Sequence, residues 1–373
     1  MDHNATTPLD PRVLEAMMPY LREEFVNPSC RSGVAASYGI QKARLQVAKL
    51  IGAKDSEIIF TSGGTESDNL ALRSSISVMG RRQIVTTAVE HPAVMETCAD
   101  LERWDGATST LVPVDREGRV SSEAVYRALT ARTAIVSVIA AGNEVGTIQP
   151  IAEIGRLLKT EDVLFHTDAV QAAGRIPLRV DDLGVDLLSL SAHKMYGPKG
   201  VGALYVRQGT PFRPIQTGGS QELYRRAGTE NVAGIVGFGM AAELAHREMD
   251  SRAAHANSLA ERLWDNLSQQ IPGLLRNSPE RDCLPGVLNV SIPGIPAQSM
   301  VQELDRAGIC ISSGCACSEG IAGPSNVVLA MTHDRERAST CIRFSLGSGN
   351  SSEEIDRVGN ILPKLVNLLR NRN

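Results

Sequence analysis

Short apolar runs recur through the first 206 residues of this 373-residue chain, at 57–61, 83–87, 109–113, 134–139, 163–166, 187–191 and 202–206. Several lack the polar alternation of a half-exposed strand, so both of their faces must be covered. Helical patterns lie between them. One follows a Gly-Gly-Thr turn and covers 66–77; another, at 121–129, opens on Ser and an early Glu, a capping signal; a third, at 150–159, opens on Pro, which suits a helix start. Repeated strand–helix–strand units of this kind predict an α/β fold, with a mostly parallel sheet between layers of helix. Beyond about 240 the texture changes. A long charged amphipathic helix is expected at 241–270, then strands at 287–292, 309–312 and 340–346, a helix near 297–307 and a last helix from Ser352. The expected division is a large α/β domain over 15–250 and a smaller α+β domain made of 1–14 and 251–373.

Composition narrows the class of function. The 38 basic and 42 acidic residues leave a net charge of −4, which argues against a protein that grips nucleic acid by bulk charge. No direct nucleic-acid binding is expected. No apolar run approaches the ~18 residues of a membrane span, and Met1-Asp-His-Asn-Ala-Thr-Thr-Pro8 has neither the basic nor the apolar region of a secretory signal. A soluble cytoplasmic protein is expected. The seven cysteines, at 30, 98, 283, 310, 315, 317 and 341, are too sparse for a disulfide framework. Cys30, Cys98, Cys283, Cys310 and Cys341 read as packing residues.

Four segments carry chemistry, and each has a plainer alternative. Ser191-Ala-His193-Lys194 ends a buried strand, where ligands of open α/β sheets sit. Lys194 is either a solvated loop lysine or a partly desolvated amine suited to a Schiff base. Ser62-Gly-Gly64-Thr65-Glu66 turns a strand into a helix whose free N–H groups favour phosphate, although Thr65 as a simple N-cap explains it too. Thr167-Asp168-Ala-Val-Gln171 ends another strand. Its acid either caps the next helix or holds a proton on a pyridine nitrogen, with Gln171 one turn on. Glu90-His91-Pro92 offers either a structural histidine or a ring that stacks on a flat cofactor. Together, in the order Gly64/Thr65, His91, Asp168 and Lys194, they describe a site for pyridoxal 5′-phosphate.

The chain resembles the cysteine desulfurases of the NifS/IscS type, fold-type I pyridoxal-phosphate enzymes of the class-V aminotransferase family. The likeness covers nearly the whole chain. Beyond the segments above it includes Asn4-Ala-Thr-Thr-Pro8, Asn143-Glu-Val-Gly146, Gly228-Thr-Glu-Asn231, Ser313-Gly-Cys-Ala-Cys317 and Ile342-Arg-Phe-Ser345. The resemblance implies that Lys194 carries the cofactor as a Schiff base and later moves the Cα proton. It implies that His91 stacks on the ring and assists proton transfer, that Asp168 pairs with the ring nitrogen, and that Gln171 meets the ring hydroxyl. Gly64, Thr65, Ser191 and His193 would hold the phosphate, and Thr229 would reach it from the second subunit of a homodimer. Asn143 and Arg343 would orient the substrate, with the planar guanidinium clamping its carboxylate.

The thiol sets substrate and reaction. By the resemblance Cys317 is the nucleophile that takes sulfur from L-cysteine as a persulfide and leaves L-alanine. The stretch from Ser312 to Pro324 is small and polar, reads as a mobile loop and falls in the long-loop class. At up to ~3.5 Å per residue it could carry a thiol more than ~10 Å to a protein acceptor. Cys315 stands where the family has Ser, and no second Cys or His pair completes a metal site, so none is expected. The segment 27–33 is two residues shorter than the family's and lacks its His. The implied acceptor is an iron–sulfur scaffold or a thiolation protein, for tRNA or for DNA phosphorothioation. The rivals are a selenocysteine lyase or aminotransferase of the same fold, and a non-catalytic sulfur carrier or scaffold.

Overall fold

The computed structural model describes residues 1–314 and 323–371. Its larger sheet has seven strands: β1 (Ile58–Thr61), β2 (Gln83–Thr87), β3 (Thr108–Val112), β4 (Thr133–Ser137), β5 (Leu164–Asp168), β6 (Leu187–Ser191) and β7 (Gly202–Val206), in the order β1-β7-β6-β5-β4-β2-β3. The pairs among β2 to β6 are parallel, and β7 runs antiparallel to both neighbours, with Leu188 opposite Tyr205. All but β3 are fully buried along their length, as continuous apolar runs require. One face packs Ile59, Leu72, Ile84 and Ile135 under the helix Gly64–Met79; the other packs Phe60, Val136, Phe165 and Leu190 with Phe238. The expected mostly parallel sheet between helices is therefore what the chain builds.

A second, antiparallel sheet contains β8 (Leu275–Arg276), β9 (Val287–Ser291), β10 (Ser312–Ser313) and β11 (Cys341–Ser345), in the order β10-β11-β9-β8. It encloses its own core of Leu288, Ile342, Phe344, Ile355 and Leu362 with the helix Ser352–Arg370. Asp2 forms a bridge to Ser345, so the chain's first residues lie against this sheet.

Several boundaries differ from the expectation. The strand expected at 309–312 is only Ser312–Ser313. The helices Pro11–Arg22, Val34–Ile51 and Pro92–Asp105 were not singled out from the sequence pattern. The long helix runs Val232–Gln270, nine residues further back than the periodicity suggests. Its first turns are glycine-rich, which weakens helix propensity. Contact dictates the choice: a Cβ on Gly239 would stand 2.5 Å from the Ala43 backbone, and one on Gly237 2.6 Å from Met17 Sδ. Ile235, Phe238 and Leu244 of this helix enter the larger core, and Leu259, Leu263 and Leu267 the smaller. Among the described residues no helix is long and apolar enough to cross a membrane.

Candidate active site

The parallel strands end around one cavity of about 210 Å³. β1 leads through Gly63 into the helix Gly64–Met79, so Gly64 and Thr65 present that helix's free N–H end to the cavity. A Cβ at position 64 would stand 2.6 Å from Val170 Cγ2, so the close approach there requires glycine. β5 delivers Asp168 and then Gln171, β6 delivers Ser191 followed by His193 and Lys194, and the turn after β2 delivers His91. Asn143, from the turn after β4, completes the set. Nine residues singled out from the sequence thus share one cavity.

Each is held by identifiable contacts. His91 caps the helix Pro92–Asp105 through Nδ1, which accepts from the Ala93 amide at 3.1 Å. Lys194 Nζ donates to the carbonyls of Asn4 and Ala5. Gln171 Nε2 donates to the same Asn4 carbonyl at 3.0 Å, while its Oε1 is buried with no hydrogen-bond partner among the described residues. Asn4 Nδ2 in turn donates to the Asn143 carbonyl at 2.9 Å. The segment 4–7 therefore straps the cavity, a role its sequence did not suggest. His193 Nδ1 lies 3.0 Å from Thr6 Oγ1, and burial with the nearby Lys194 and Lys199 lowers its pKa to about 4.

Burial also displaces the acids. Asp168 is 3% exposed; desolvation raises its pKa, while His91, the Val170 N–H at 2.9 Å and Lys194 pull it down. Glu90 is raised to about 8 by burial despite hydrogen bonds from Thr87 and the Ile139 amide. Asp68 lines the same cavity and is raised well above the usual carboxylate range by desolvation and by Asp168. Its ligand atom, with those of His91 and Asp168, falls within a 4.8 Å cluster. Sequence reasoning assigned Asp68 no role, because an acid inside a helix reads as a solvent-facing residue.

Two expected site residues lie elsewhere, and a third falls outside the described residues. Arg343, on β11, is 1% exposed and does not line the cavity. Its guanidinium donates to the Asn143 carbonyl at 2.9 Å, to Asp2 Oδ1 at 2.6 Å and to Ser312 Oγ at 3.0 Å; Nε has no partner among the described residues. Thr229 is exposed and outside the cavity. Cys317 lies outside the described residues, as does Cys315. Of the five cysteines expected to pack, Cys98 and Cys341 are buried and Cys283 is half-buried, but Cys30 and Cys310 are exposed. The last two follow turns at the ends of short segments, where no core reaches them.

The cavity fits pyridoxal 5′-phosphate on its own chemistry. It joins an amine, a buried acid with cationic neighbours, an orphaned acceptor at Gln171 and a glycine-lined helix N-terminus of the kind that binds phosphate. The aminotransferase class-V family model matches residues 1–358, so the chain belongs to that pyridoxal-phosphate-dependent family. More narrowly, it is 45% identical to "Cysteine desulfurase IscS" of Dictyoglomus turgidum, over 99% of this chain and 95% of that one. A solved "NifS-like protein" superposes with TM-score 0.92 at 39% identity, covering 98% of each chain. A structure titled "SspA in complex with cysteine" superposes with TM-score 0.81 at 33% identity, covering 92% of this chain and 97% of that one.

Proposed function

We propose that this chain is a pyridoxal-phosphate-dependent L-cysteine desulfurase, which yields L-alanine and a persulfide on Cys317. The observation that carries the reading is the cavity at the strand ends, where Lys194, Asp168, His91 and the Gly64 helix end meet. Bound there, the cofactor supplies an electron sink that makes the substrate's Cα–H acidic. Lys194 Nζ would hold the cofactor and then carry the Cα proton. Asp168 would keep a proton at the ring nitrogen, Gln171 would meet the ring hydroxyl, and His91 would cover the ring. Gly64, Thr65, Ser191 and His193 hold the phosphate. Asn143 and Arg343 orient the substrate carboxylate. The Cys317 thiolate attacks the substrate sulfur; the C–S bond breaks, its electron pair stays on carbon, and protonation there gives alanine.

The assembly belongs to the same proposal. The protein is a cytoplasmic homodimer in which Thr229 reaches the phosphate site of the second subunit, consistent with its exposed position outside its own cavity. The larger domain covers 15–250, and 1–14 with 251–373 form the smaller one. Sulfur passes to a protein acceptor, an iron–sulfur scaffold in the leading case, to which the IscS name of a relative points.

The test is Cys317→Ala. Purified variant and parent should both absorb in the visible after loading with cofactor. Only the parent should turn L-cysteine into alanine and transferable sulfur. Full sulfur release by the variant removes Cys317 from the reaction, and no cofactor uptake by the parent removes the reading altogether.

A further inference from the structure

Three buried carboxyl groups gather at the cavity, Asp68 and Asp168 in its lining and Glu90 close enough to act on both, and the reading above uses one of them. Asp68, Glu90 and Asp168 are 1%, 7% and 3% exposed. Asp168 raises the pKa of both other acids, and Glu90 adds to the effect at Asp68. Like charges this close, away from water, cannot all ionise. The question is which of the three keeps the charge.

Their surroundings answer it. Lys194 favours the Asp168 carboxylate, as does His91 in the protonated form that its burial disfavours, and the Val170 N–H donates to it at 2.9 Å. Among the described residues, no cation is among the larger influences on Asp68 or on Glu90. His166 on β5 places Nε2 3.6 Å from Asp68 Oδ1, and His91 shares the 4.8 Å cluster with Asp68. The His166 contact is not an ion pair: burial lowers the His166 pKa to about 3, and its two nitrogens lie 2.9 Å from Ser137 Oγ and 3.0 Å from Ser189 Oγ. Ser189 lowers the Asp68 pKa, against the larger effect of burial and that of Asp168. Both His166 nitrogens are taken up by the hydroxyls of Ser137 and Ser189, so His166 brings Asp68 no positive charge. Asp68 Oδ1 has no hydrogen-bond partner among the described residues. An orphaned oxygen is expensive as a carboxylate; as a hydroxyl it is a donor at the edge of the cavity it shares with Asp168.

We infer that Asp68 is a positioning residue that stands beside Asp168 as a neutral, protonated acid, so that Asp168 is the anionic carboxyl offered to the ring nitrogen. The inference rests on the cofactor reading only for that last clause. Asp68 acts through Asp168. Were it ionised, its charge would raise the proton affinity of Asp168 and of any base beside it. The groups that face it are Asp168 and His166 on β5, Ser189 on β6, and Glu90 and His91 after β2, with Lys194 beyond Asp168.

The first readout needs no cofactor. Infrared spectra of the cofactor-free protein in heavy water, near neutrality, should contain the carbonyl stretch of a protonated carboxylic acid. Asp68→Asn, which copies the neutral acid in shape, should remove part of that band. An unchanged band overturns the proposal. Carboxyl-¹³C aspartate labelling of the unaltered protein asks the same without a mutation: part of the band should move, and a band with no aspartate component overturns it equally. The second readout is the pH titration of the cofactor's visible absorbance. Asp68→Asn should leave its midpoint nearly in place, whereas Asp168→Asn should move it. A displacement of about one unit or more in Asp68→Asn means that a negative charge was removed and overturns the proposal. Failure of the parent to take up pyridoxal phosphate sinks the cofactor reading, while the infrared result still decides the protonation of Asp68.

Discussion

At the cavity, Asp68, Glu90 and Asp168 are crowded together with their pKa values raised by burial. Around Arg343, on the antiparallel sheet, the guanidinium is paired: it meets Asp2, the Asn143 carbonyl and Ser312, while Glu144 nearby accepts from Ser325 at 2.5 Å and has its pKa raised to about 7 by burial. Both regions are dry. The first concentrates acids beyond what its cations satisfy, which destabilises the protein and creates reactive groups. The second couples the two sheets through a guanidinium paired with an acid, with only its Nε left without a partner among the described residues. Loss of the Lys194 amine at the cavity should therefore fail in chemistry alone, whereas loss of the Arg343 guanidinium should cost stability as well as the proposed hold on the substrate carboxylate.

The sharpest test is Lys194→Ala. Alanine formation from cysteine should fall at least ~10³-fold, as for loss of a proton-transfer group that is also the cofactor's anchor, with little change in the unfolding midpoint of the cofactor-free protein. Arg343→Ala should also show in denaturant titrations, losing about 2 kcal/mol because it removes the guanidinium from Asp2 Oδ1 and one of the two donors from the Asn143 carbonyl; Arg343→Lys should recover little, since an ammonium cannot span the same partners. If Arg343→Ala unfolds like the parent, the contrast between the regions collapses.

Acid–base behaviour gives the next effect. The folded-state pKa of Glu90 is raised from 4.5 to about 8, so the folded protein binds this proton more tightly than the unfolded chain. Its stabilising contribution is fully present below 4.5 and is lost as pH rises through about 8. Between pH 6 and 8 that is about 2 to 3 kcal/mol for the cofactor-free protein, and Glu90→Gln should flatten the slope. His166, lowered to about 3, has the opposite sign: its contribution is present above 6.5 and lost as pH falls through about 3. The smallest effect belongs to Arg226→Ala, which breaks the half-exposed pair with Glu66 at 2.8 Å. Less than about 1 kcal/mol is expected, because solvent screens such a pair.

The same contrast explains what the sequence reveals. The residues at the strand ends are legible because strand and turn place them there: Glu90-His91, Thr167-Asp168 and His193-Lys194 are contiguous, each just past an apolar run. The contacts of Arg343 are not local. Its partners Asn143 and Asp2 lie 200 and 341 residues away in sequence, and only resemblance singled it out. Asp68 escaped because a helix pattern gives no sign that an acid faces a protein interior. The start of the long helix escaped because glycines chosen for close packing look like breakers when the neighbouring chain is unseen.

That helix, Val232–Gln270, has a consequence of a different kind. At 39 residues it is about 58 Å long, and it supplies buried side chains to both cores. Neither core keeps its packing if its half of the helix melts, and a break between the halves exposes apolar surface on both sides. The two cores are thus tied into one cooperative unit, and differential scanning calorimetry should record a single endotherm rather than two. A glycine pair placed at Ser251 and Arg252, midway along the helix, is where that endotherm should begin to split.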